Sequence, residues 1–325
     1  MFGVPCRTVI KILSVFVCVC GGLLASSSAI TYALSGGRFG DNVLSYLHAK
    51  WLSYRTGVPI FYNPFPYSDQ LVLSDFENRF YGGFKHRVHL GENNDPSIEK
   101  REQSTLSIVD YFGELSWGRP GFPQFYIDWD DPGFREIIRA MIAPKKPLQY
   151  TVVPPPGRVS VALHARTGGG YEDFLTSDWH EWILKLPRLP FLIRQLRYLY
   201  NFLEKQPLYV YIFTDDSCPD LVMKRFQEAF GECDIIFDCG ARALRKNHQV
   251  LEDFFSMTQF DCAIHGESNF AICAGLVKDY NIEIRPILFE YDEAAMKVLY
   301  KVAMRVHFDK AQRPEYHMIQ LFSDG

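Results

Sequence analysis

Beyond residue 158, short apolar runs alternate with longer segments of helical periodicity, and this alternation constrains the fold more than any other feature. Strands are predicted at residues 159–163, 208–213, 234–237, 261–265 and 284–288, and helices between them at 191–203, 221–230, 250–259 and 268–277. Strands of about five residues that alternate with helices of about ten or more are typical of a parallel, doubly wound sheet. The second half is therefore predicted to be an α/β domain.

The first half carries a second, less regular α/β pattern. A strand at residues 30–34 leads into the glycine turn 36–40 and a helix at 42–54, a short strand begins at Ile60, and another helix begins at Asp130 and ends at Met141. Residues 68–130 are irregular and rich in aromatic residues, and no strand is assigned there. The proline-rich segment 144–156 is predicted to be a linker. Two domains are expected, at residues 29–150 and 151–325.

Composition excludes several classes of protein. A hydrophobic content of 47% and an aromatic content of 15% exclude disorder, and a net charge of −4 predicts no nucleic-acid partner. The cysteines beyond the N-terminal apolar run are odd in number and contain no Cys-x-x-Cys pair, which predicts neither a zinc site nor a disulfide framework. We expect buried free thiols at Cys218, Cys233, Cys239, Cys262 and Cys273.

The N-terminus has the features of a targeting segment. Arg7 and Lys11 precede an uncharged run at residues 12–24 and a Ser/Ala-rich stretch. Residues 1–28 fit a signal peptide, or a membrane anchor if the apolar run extends to Leu34, which gives the roughly 20 residues that a span needs. Export or membrane association is expected, or a cytoplasmic protein if this segment is a gene-model artefact. No Asn-x-Ser/Thr sequon occurs, which speaks mildly against a eukaryotic secretory route.

The stretch 251–270 combines a helix, a buried strand, a polar turn and a new helix start. Asp253 lies on the first helix, and Ser268, Asn269 and Phe270 begin the second. A strand followed by a polar turn and a helix N-terminus is how an α/β domain presents backbone N–H groups to a phosphate. An ordinary βα unit, with Ser268 as the N-cap residue, is the alternative.

Three sequence blocks together resemble fucosyltransferases. The late block is similar to that of the α-1,2-fucosyltransferases, in which an Asp, a Met-Ser/Thr pair, an Ile-containing strand and Ser-x-Phe recur in this order. His164-Ala165-Arg166 resembles the His-x-Arg-Arg motif of that group and of the protein O-fucosyltransferases. The Gly-Arg-Phe-Gly-Asn-Gln block of the latter group resembles Gly37-Arg38-Phe39-Gly40-Asp41-Asn42.

The resemblance implies both an architecture and an activity. The implied fold is GT-B-like, with two Rossmann-like domains facing a cleft and the nucleotide held mainly by the second. The implied reaction is metal-independent and needs no cofactor: fucose passes from GDP-fucose, with inversion, to a glycan or protein hydroxyl. The resemblance places the nucleotide-sugar site at Gly37, Arg38, Gly40, Asn42, His164, Asp253, Ser268, Asn269 and Phe270.

Sugar transfer without a metal needs positive charge on the departing diphosphate and a base for the acceptor hydroxyl. Arg166, at a strand end, is the candidate for the diphosphate, although an ordinary ion pair with a nearby acid is the alternative. Glu172, Asp173 and Asp41 are the candidate bases, with solvated surface acids as the alternative for the first two. His164 could equally be a structural histidine. Asp253 matches the position that contacts the guanine edge, whose two N–H donors suit a carboxylate.

The chain departs from the family pattern at two positions. Thr167 stands in place of the second Arg of His-x-Arg-Arg, and Asp41-Asn42 stands in place of Asn-Gln. Two alternatives therefore stay open: a catalytically degenerate relative that binds a nucleotide sugar or glycan, and a transferase that uses another nucleotide sugar. Asp215 and Asp216 follow a strand, but a turn or helix cap is the more common role of such a pair, and no metal site is predicted.

Overall fold

The computed structural model describes residues 28–79, 83–90, 104–110, 127–166, 184, 186–239, 250–292 and 297–322. Glu172, Asp173, Thr167 and nearly all of the N-terminal segment 1–28 lie outside these residues, so the predictions made for them stay predictions. Among the helices of the described ranges, none has both the length and the apolar content that crossing a membrane requires.

The first half contains a three-stranded parallel sheet, whose strands in spatial order are β1 (Ala29–Tyr32), β5 (Thr105–Val109) and β4 (His86–Leu90). The helix α1 (Phe39–Thr56) follows β1 and starts three residues earlier than predicted, because the carboxylate of Asp41 accepts a hydrogen bond from the backbone N–H of Arg38. It ends at Gly57, whose φ of 70° favours glycine. β4 and β5 fall in the stretch where no strand was predicted.

Smaller elements complete the first half. They are β2 (Phe61–Tyr62), a 3₁₀ turn (Ser68–Gln70), α2 (Leu73–Phe76), β3 (Asn78–Arg79) and α3 (Pro132–Met141). α3 starts two residues later than predicted, because Asp131 is the N-cap residue and accepts a hydrogen bond from the N–H of Phe134 at 2.8 Å; its end at Met141 and the place of Pro132 in the first turn are confirmed.

The second half is built on a seven-stranded sheet of spatial order β12-β11-β10-β9-β6-β7-β8. Its strands are β6 (Val159–Ala165), β7 (Leu208–Thr214), β8 (Ile235–Asp238), β9 (Cys262–His265), β10 (Ile282–Asp292), β11 (Lys297–Val306) and β12 (Glu315–Phe322). Its helices are α4 (Leu189–Phe202), α5 (Pro219–Ala229), α6 (Val250–Met257) and α7 (Asn269–Lys278).

The strands β6 to β10 pair in parallel as predicted, but the sheet as a whole is mixed. β10 pairs with β11, and β11 with β12, in antiparallel register, so the expectation of a purely parallel sheet is wrong at this edge. β10 runs for eleven residues, past the predicted end at residue 288. The reason is that the chain after β10 returns directly as a neighbouring antiparallel strand, which needs no crossover helix.

The two halves share one hydrophobic core. Residues of β1 and α1 belong to the same buried cluster as residues of α6 and α7. α1 and α7 approach most closely at Gly40, where a Cβ atom would lie 2.4 Å from the backbone nitrogen of Phe270, so only glycine fits there. The α/β class, with a parallel sheet in the first half and a larger sheet in the second, is confirmed, whereas the predicted division at residue 150 stays a prediction.

The five cysteines expected to be free thiols are free. Cys239, Cys262 and Cys273 are buried, as expected, but Cys233 is only half-buried and Cys218 is exposed. Its exposure follows from its position just before α5, at the surface end of the loop after β7.

Candidate functional site

A cavity of about 540 Å³ lies where the carboxyl ends of β1, β6, β7 and β9 meet. In open α/β sheets, ligands bind at this end of the strands. The glycine loop after β1, the end of β6, the start of α6 and the turn before α7 all contribute to its wall. Of the predicted site residues that the structure describes, the cavity is lined by Gly37, Arg38, Gly40, Asp41, His164, Arg166, Asp253, Ser268, Asn269 and Phe270.

Asp41 ties the two halves of the cavity wall together. One carboxylate oxygen, Oδ2, accepts a hydrogen bond from the N–H of Arg38 at 2.9 Å, and the other, Oδ1, accepts one from Nδ2 of Asn269 at 2.7 Å. A carboxylate in the first turn of α1 also interacts favourably with the helix dipole. The negative charge of Asp41 is therefore partly taken up by contacts within the protein.

Asn42 is a predicted site residue that the structure places behind the wall rather than on it. Its side chain is buried, and its Nδ2 donates to the carbonyl oxygens of Gly37 and Arg38, both at 3.2 Å. Its Oδ1 accepts a long hydrogen bond of 3.4 Å from the hydroxyl of Ser35. Among the described residues, Asn42 thus supports the glycine loop and does not line the cavity.

The end of β6 places His164 and Arg166 on the cavity wall. The ring of His164 stacks on that of Phe270, with centroids 6.2 Å apart and planes 28° apart, so this histidine faces the cavity. Nε of Arg166 lies 3.7 Å from Oδ2 of Asp215, which also lines the cavity. The ion pair considered as an alternative role for Arg166 therefore exists, but on the cavity wall and at a distance that leaves the pair loose.

The acidic pair after β7 divides into two roles. Asp215 faces Arg166, whereas Oδ1 of Asp216 accepts a hydrogen bond of 2.8 Å from the N–H of Cys218 and so closes the turn before α5. The chain also contains one Asp-x-Asp sequence, Asp128-Trp129-Asp130, which lies away from the cavity. In the ranges that the structure covers, no three His, Cys, Asp or Glu side chains are grouped so that they could hold a metal ion.

The stretch 251–270 supplies the part of the cavity wall that is formed by α6 and the start of α7. Asp253, on α6, is half-buried and lines the cavity, while Glu252 beside it is buried. The prediction that Ser268 is the N-cap residue of α7 is confirmed, but its side chain makes no capping hydrogen bond. The backbone N–H of Ser268 donates a hydrogen bond to the carbonyl oxygen of Gly266 at 2.8 Å. The N–H groups of the first turn of α7 are thus not used by this serine.

Several cavity residues were missed by the sequence analysis. Glu267 lies on the wall between Gly266 and Ser268, and its place in a turn after a buried strand is a signal that could have found it. Tyr67 comes from the first half, and its φ of 69° is a left-handed conformation that costs a tyrosine about 1 kcal/mol or more. Nothing in the sequence around Tyr67 indicates this position. The remaining missed residues are Phe39, Pro66, Phe213, Thr214 and Val250.

No family model and no curated protein matches the chain. Among solved structures, it is similar to an Arabidopsis thaliana FUT1 mutant in complex with GDP, with a TM-score of 0.48, 12% identity, and coverage of 86% of this chain and 75% of that chain. It is similar to apo POFUT1, with a TM-score of 0.43, 11% identity, and coverage of 80% and 97%. It is also similar to NodZ alpha-1,6-fucosyltransferase soaked with GDP-fucose, with a TM-score of 0.43, 13% identity, and coverage of 91% of this chain and 99% of that chain. At this distance, the function has to be argued from the residues of the cavity.

Proposed function

We propose that this chain is a glycosyltransferase, and more specifically an inverting, metal-independent fucosyltransferase that moves fucose from GDP-fucose to a glycan or protein hydroxyl. One observation carries the proposal. The three sequence blocks that resemble fucosyltransferases are far apart in the chain, yet Arg38, Arg166, Asp253 and Phe270 all line the same cavity. Blocks that were merely structural would have no reason to converge on one open space.

The proposed diphosphate end of the cavity combines side-chain charge with a helix terminus. Arg166 supplies a guanidinium at the end of β6, and Arg38 is a second cation on the wall. The N-terminus of α7, at Asn269, brings backbone N–H groups and the positive end of the helix dipole to the same space. With Thr167 in place of the second arginine, Arg38 and this terminus would provide the charge that the family motif places in its Arg-Arg pair.

The proposed nucleobase end is formed by Asp253 and neighbouring aromatic rings. A carboxylate can accept from both N–H groups of the guanine edge, whereas uracil and adenine do not present that pair of donors. The ring of Phe270 packs edge-on against those of Phe39 and Phe254, with centroids 6.4 Å and 5.5 Å apart, and forms an apolar wall beside the acid. This combination of one acid and an apolar wall supports a guanine nucleotide.

The base for the acceptor hydroxyl stays open among the candidate acids. Both oxygens of Asp41 are engaged by Arg38 and Asn269, which favours a role in holding the wall over proton transfer. Glu172 and Asp173 are the proposed bases, and Glu267 is a further carboxylate on the cavity wall.

A second candidate function, binding without transfer, is favoured by one contact. Asp215 faces Arg166 at 3.7 Å and so offsets part of the charge that a departing diphosphate would need. The two functions differ in turnover alone. In a binding protein, the cavity would take up GDP-fucose and release it unchanged.

The test is release of GDP from GDP-fucose by the full-length protein, with glycan and protein acceptors supplied in turn. A fucosyltransferase releases GDP faster when its acceptor is present and transfers the sugar. Binding of GDP-fucose without release in the presence of any acceptor would favour the binding protein. Release from a UDP- or ADP-sugar, with none from GDP-fucose, would assign a different donor.

A further inference from the structure

His265, the last residue of β9, is fully buried, and both of its ring nitrogens face oxygen atoms. Nδ1 lies 2.6 Å from the carbonyl oxygen of Gly266, and Nε2 lies 2.9 Å from Oε1 of Glu283 on β10. The ring stands directly beneath the turn at residues 266–268, which carries Glu267 and Ser268 to the cavity. It does not line the cavity itself.

Both partners of the ring are acceptors. A carbonyl oxygen can only accept a hydrogen bond, and an ionised carboxylate can only accept as well. Burial alone raises the pKa of the Glu283 carboxyl, but the hydrogen bond and charge of His265, together with the guanidinium groups of Arg285 and Arg305, lower it to about 2. Arg285 and Arg305 favour an ionised Glu283 whatever the charge of His265.

A neutral imidazole has one N–H and one lone pair. In this position its lone pair would point at an oxygen lone pair, either on Gly266 or on Glu283. A buried contact of that kind costs free energy, since neither group has water available. With Glu283 ionised, both contacts are satisfied only when Nδ1 and Nε2 each carry a proton.

We propose that His265 is a buried imidazolium that acts as a positioning residue for the turn at residues 266–268. The carbonyl oxygen of Gly266 receives two hydrogen bonds, one from the ring of His265 and one from the N–H of Ser268. This carbonyl is thereby fixed, and the direction of the next peptide groups is fixed with it. The turn places Asn269 within hydrogen-bond distance of Asp41. The ring of His265 therefore supports the contact that joins the two sides of the cavity wall.

The surroundings of His265 explain how a positive charge is retained there. Glu283 faces it from β10, and α7 closes over that carboxylate, with Gly275 so near that a Cβ atom would lie 3.0 Å from Oε1. His164 is its neighbour on β6, and Arg285 and Arg305 act on Glu283 from the other side. Arg285 and Arg305 favour the ionised form of Glu283, so the imidazolium has a charged partner 2.9 Å from its Nε2.

The protonation state can be observed directly. In the full-length protein with ¹⁵N-labelled histidine at pH 7, we expect His265 to show two protonated ring nitrogens, a signal assigned by its loss in His265→Gln. His48 provides an internal reference for a neutral buried ring, because burial lowers its pKa to about 4. A neutral pattern for His265, with one protonated nitrogen, would overturn the proposal.

The positioning role is separated from a role of charge by two variants. Glu283→Gln lets an amide donate to Nε2 of a neutral His265 while Nδ1–H still holds Gly266, so GDP affinity should stay within about threefold of wild type. His265→Gln cannot donate to Gly266 and Glu283 as the ring does, and GDP affinity should fall tenfold or more. Equal losses in the two variants would show that the charge, not the position, matters and would contradict the proposal.

His48→Gln is the matched control, since His48 is a buried histidine of α1 that does not line the cavity. It should change thermal stability and leave GDP affinity unchanged. The positioning role toward a nucleotide rests on the proposed function, but the protonation state does not. If the protein binds no GDP, the proposed function fails while the labelled histidine still reports on His265.

Discussion

The two ends of α7 place charged residues in opposite situations. At its C-terminal end, Asp279 is buried and accepts hydrogen bonds from Nη2 of Arg305 at 2.7 Å and Nδ1 of His307 at 2.9 Å. At its N-terminal end, the charged side chains stand around an open cavity, and Arg166 is 3.7 Å from Asp215. The N-terminus of α7 therefore lies beside charged side chains that line a cavity, whereas its C-terminus lies beside a buried cluster of charged side chains.

The C-terminal cluster is closed by the protein itself. Arg135, on α3, donates to the carbonyl oxygens of Gly275 and Leu276 in the last turn of α7 and to the carboxylate of Asp130. Carbonyl groups at a helix C-terminus have no partner within the helix, and a cation there is favourable. The comparison shows that the charge at the C-terminal end of α7 is buried in ion pairs, whereas the charged side chains at its N-terminal end line a cavity. Substitutions in the cluster should thus act on stability, and substitutions at the cavity on binding and turnover.

The largest expected effect is the loss of stability in acid, which comes from the cluster. Burial alone raises the pKa of Asp279, but Arg135, His307 and Arg305 lower it to about 2 from 3.8, and the pKa of Glu283 is lowered to about 2 from 4.5. Each carboxyl is ionised in the folded state at a pH where it would bind a proton when unfolded. The stabilisation from these two carboxyls is therefore fully present above about pH 4.5 and is lost as the pH falls toward 2. Together they contribute on the order of 5 kcal/mol to the free energy of unfolding.

Denaturant unfolding between pH 6 and pH 3 measures this effect. Asp279→Asn should reduce the dependence on acid and should also lower the free energy of unfolding at pH 7 by about 3–5 kcal/mol, because it leaves buried cations without their partner. Asp234→Asn breaks an exposed pair with Arg158 and serves as the control, with an expected loss of at most about 1 kcal/mol. An unchanged acid profile in Asp279→Asn would show that the cluster is not the source.

The next effect is at the cavity and should appear in turnover and not in stability. Arg166→Ala removes a charge-assisted contact on the departing diphosphate, worth on the order of 3 kcal/mol, or about a hundredfold in rate. Unfolding should stay close to that of wild type, because the ion pair between Arg166 and Asp215, at 3.7 Å on the cavity wall, is loose. Arg225→Ala, on the exposed face of α5, is the control. A folded Arg166→Ala protein with wild-type turnover would remove Arg166 from the mechanism.

A smaller effect is expected for the guanine edge. Asp253→Asn replaces a double acceptor with one acceptor and one misplaced donor, so a buried donor is left unpaired at a cost of about 1–3 kcal/mol, and GDP affinity should fall tenfold or more. Asp261→Asn gives the opposite pattern as a control, because Asp261 binds the N–H and hydroxyl of Ser160 at 3.0 and 2.7 Å and should affect stability. Equal GDP affinity in Asp253→Asn and wild type would make Asp253 an ordinary helix residue.

The smallest expected effect is that of chelation. The two acids after β7 are already engaged, since Asp215 faces Arg166 and Asp216 accepts a hydrogen bond from the N–H of Cys218. Asp128 and Asp130, the one Asp-x-Asp sequence, bind Arg313 and Arg305. Turnover should therefore survive EDTA. Complete loss, with recovery on addition of Mg²⁺ or Mn²⁺, would assign Asp215 and Asp216 as ligands.

The parts of the fold that could be predicted are those in which local sequence and burial agree. From β6 to α7, the predicted strands and helices end within a few residues of the observed ones, because apolar strands buried on both faces alternate with amphipathic helices. β4, β5, β11 and β12 were not predicted. β12 lies at the sheet edge with most of its residues exposed, so its sequence lacks the apolar run that marks a buried strand.

The site divides in the same way. Arg38, Arg166 and Asp253 were found because they stand in blocks with recognisable neighbours. Tyr67 was not, since its place on the wall depends on a turn held by Ser68, whose hydroxyl donates to the carbonyl of Phe65 at 2.6 Å. Asn42 and Ser268 lie in the region of the chain where they were predicted, but their hydrogen bonds differ from those expected. The tertiary structure decides which groups come within hydrogen-bond distance of each other.

The central claim is that the cavity at the open end of α7 binds a guanine nucleotide diphosphate. Calorimetric titration of the full-length protein with GDP, UDP and ADP under identical conditions tests it most directly. We expect GDP to bind with one site per chain and UDP and ADP to bind at least tenfold more weakly. The reason is that the carboxylate of Asp253 can accept from two N–H donors of guanine, and uracil and adenine do not present that pair. Equal affinity for all three nucleotides, or no binding of GDP, would contradict it.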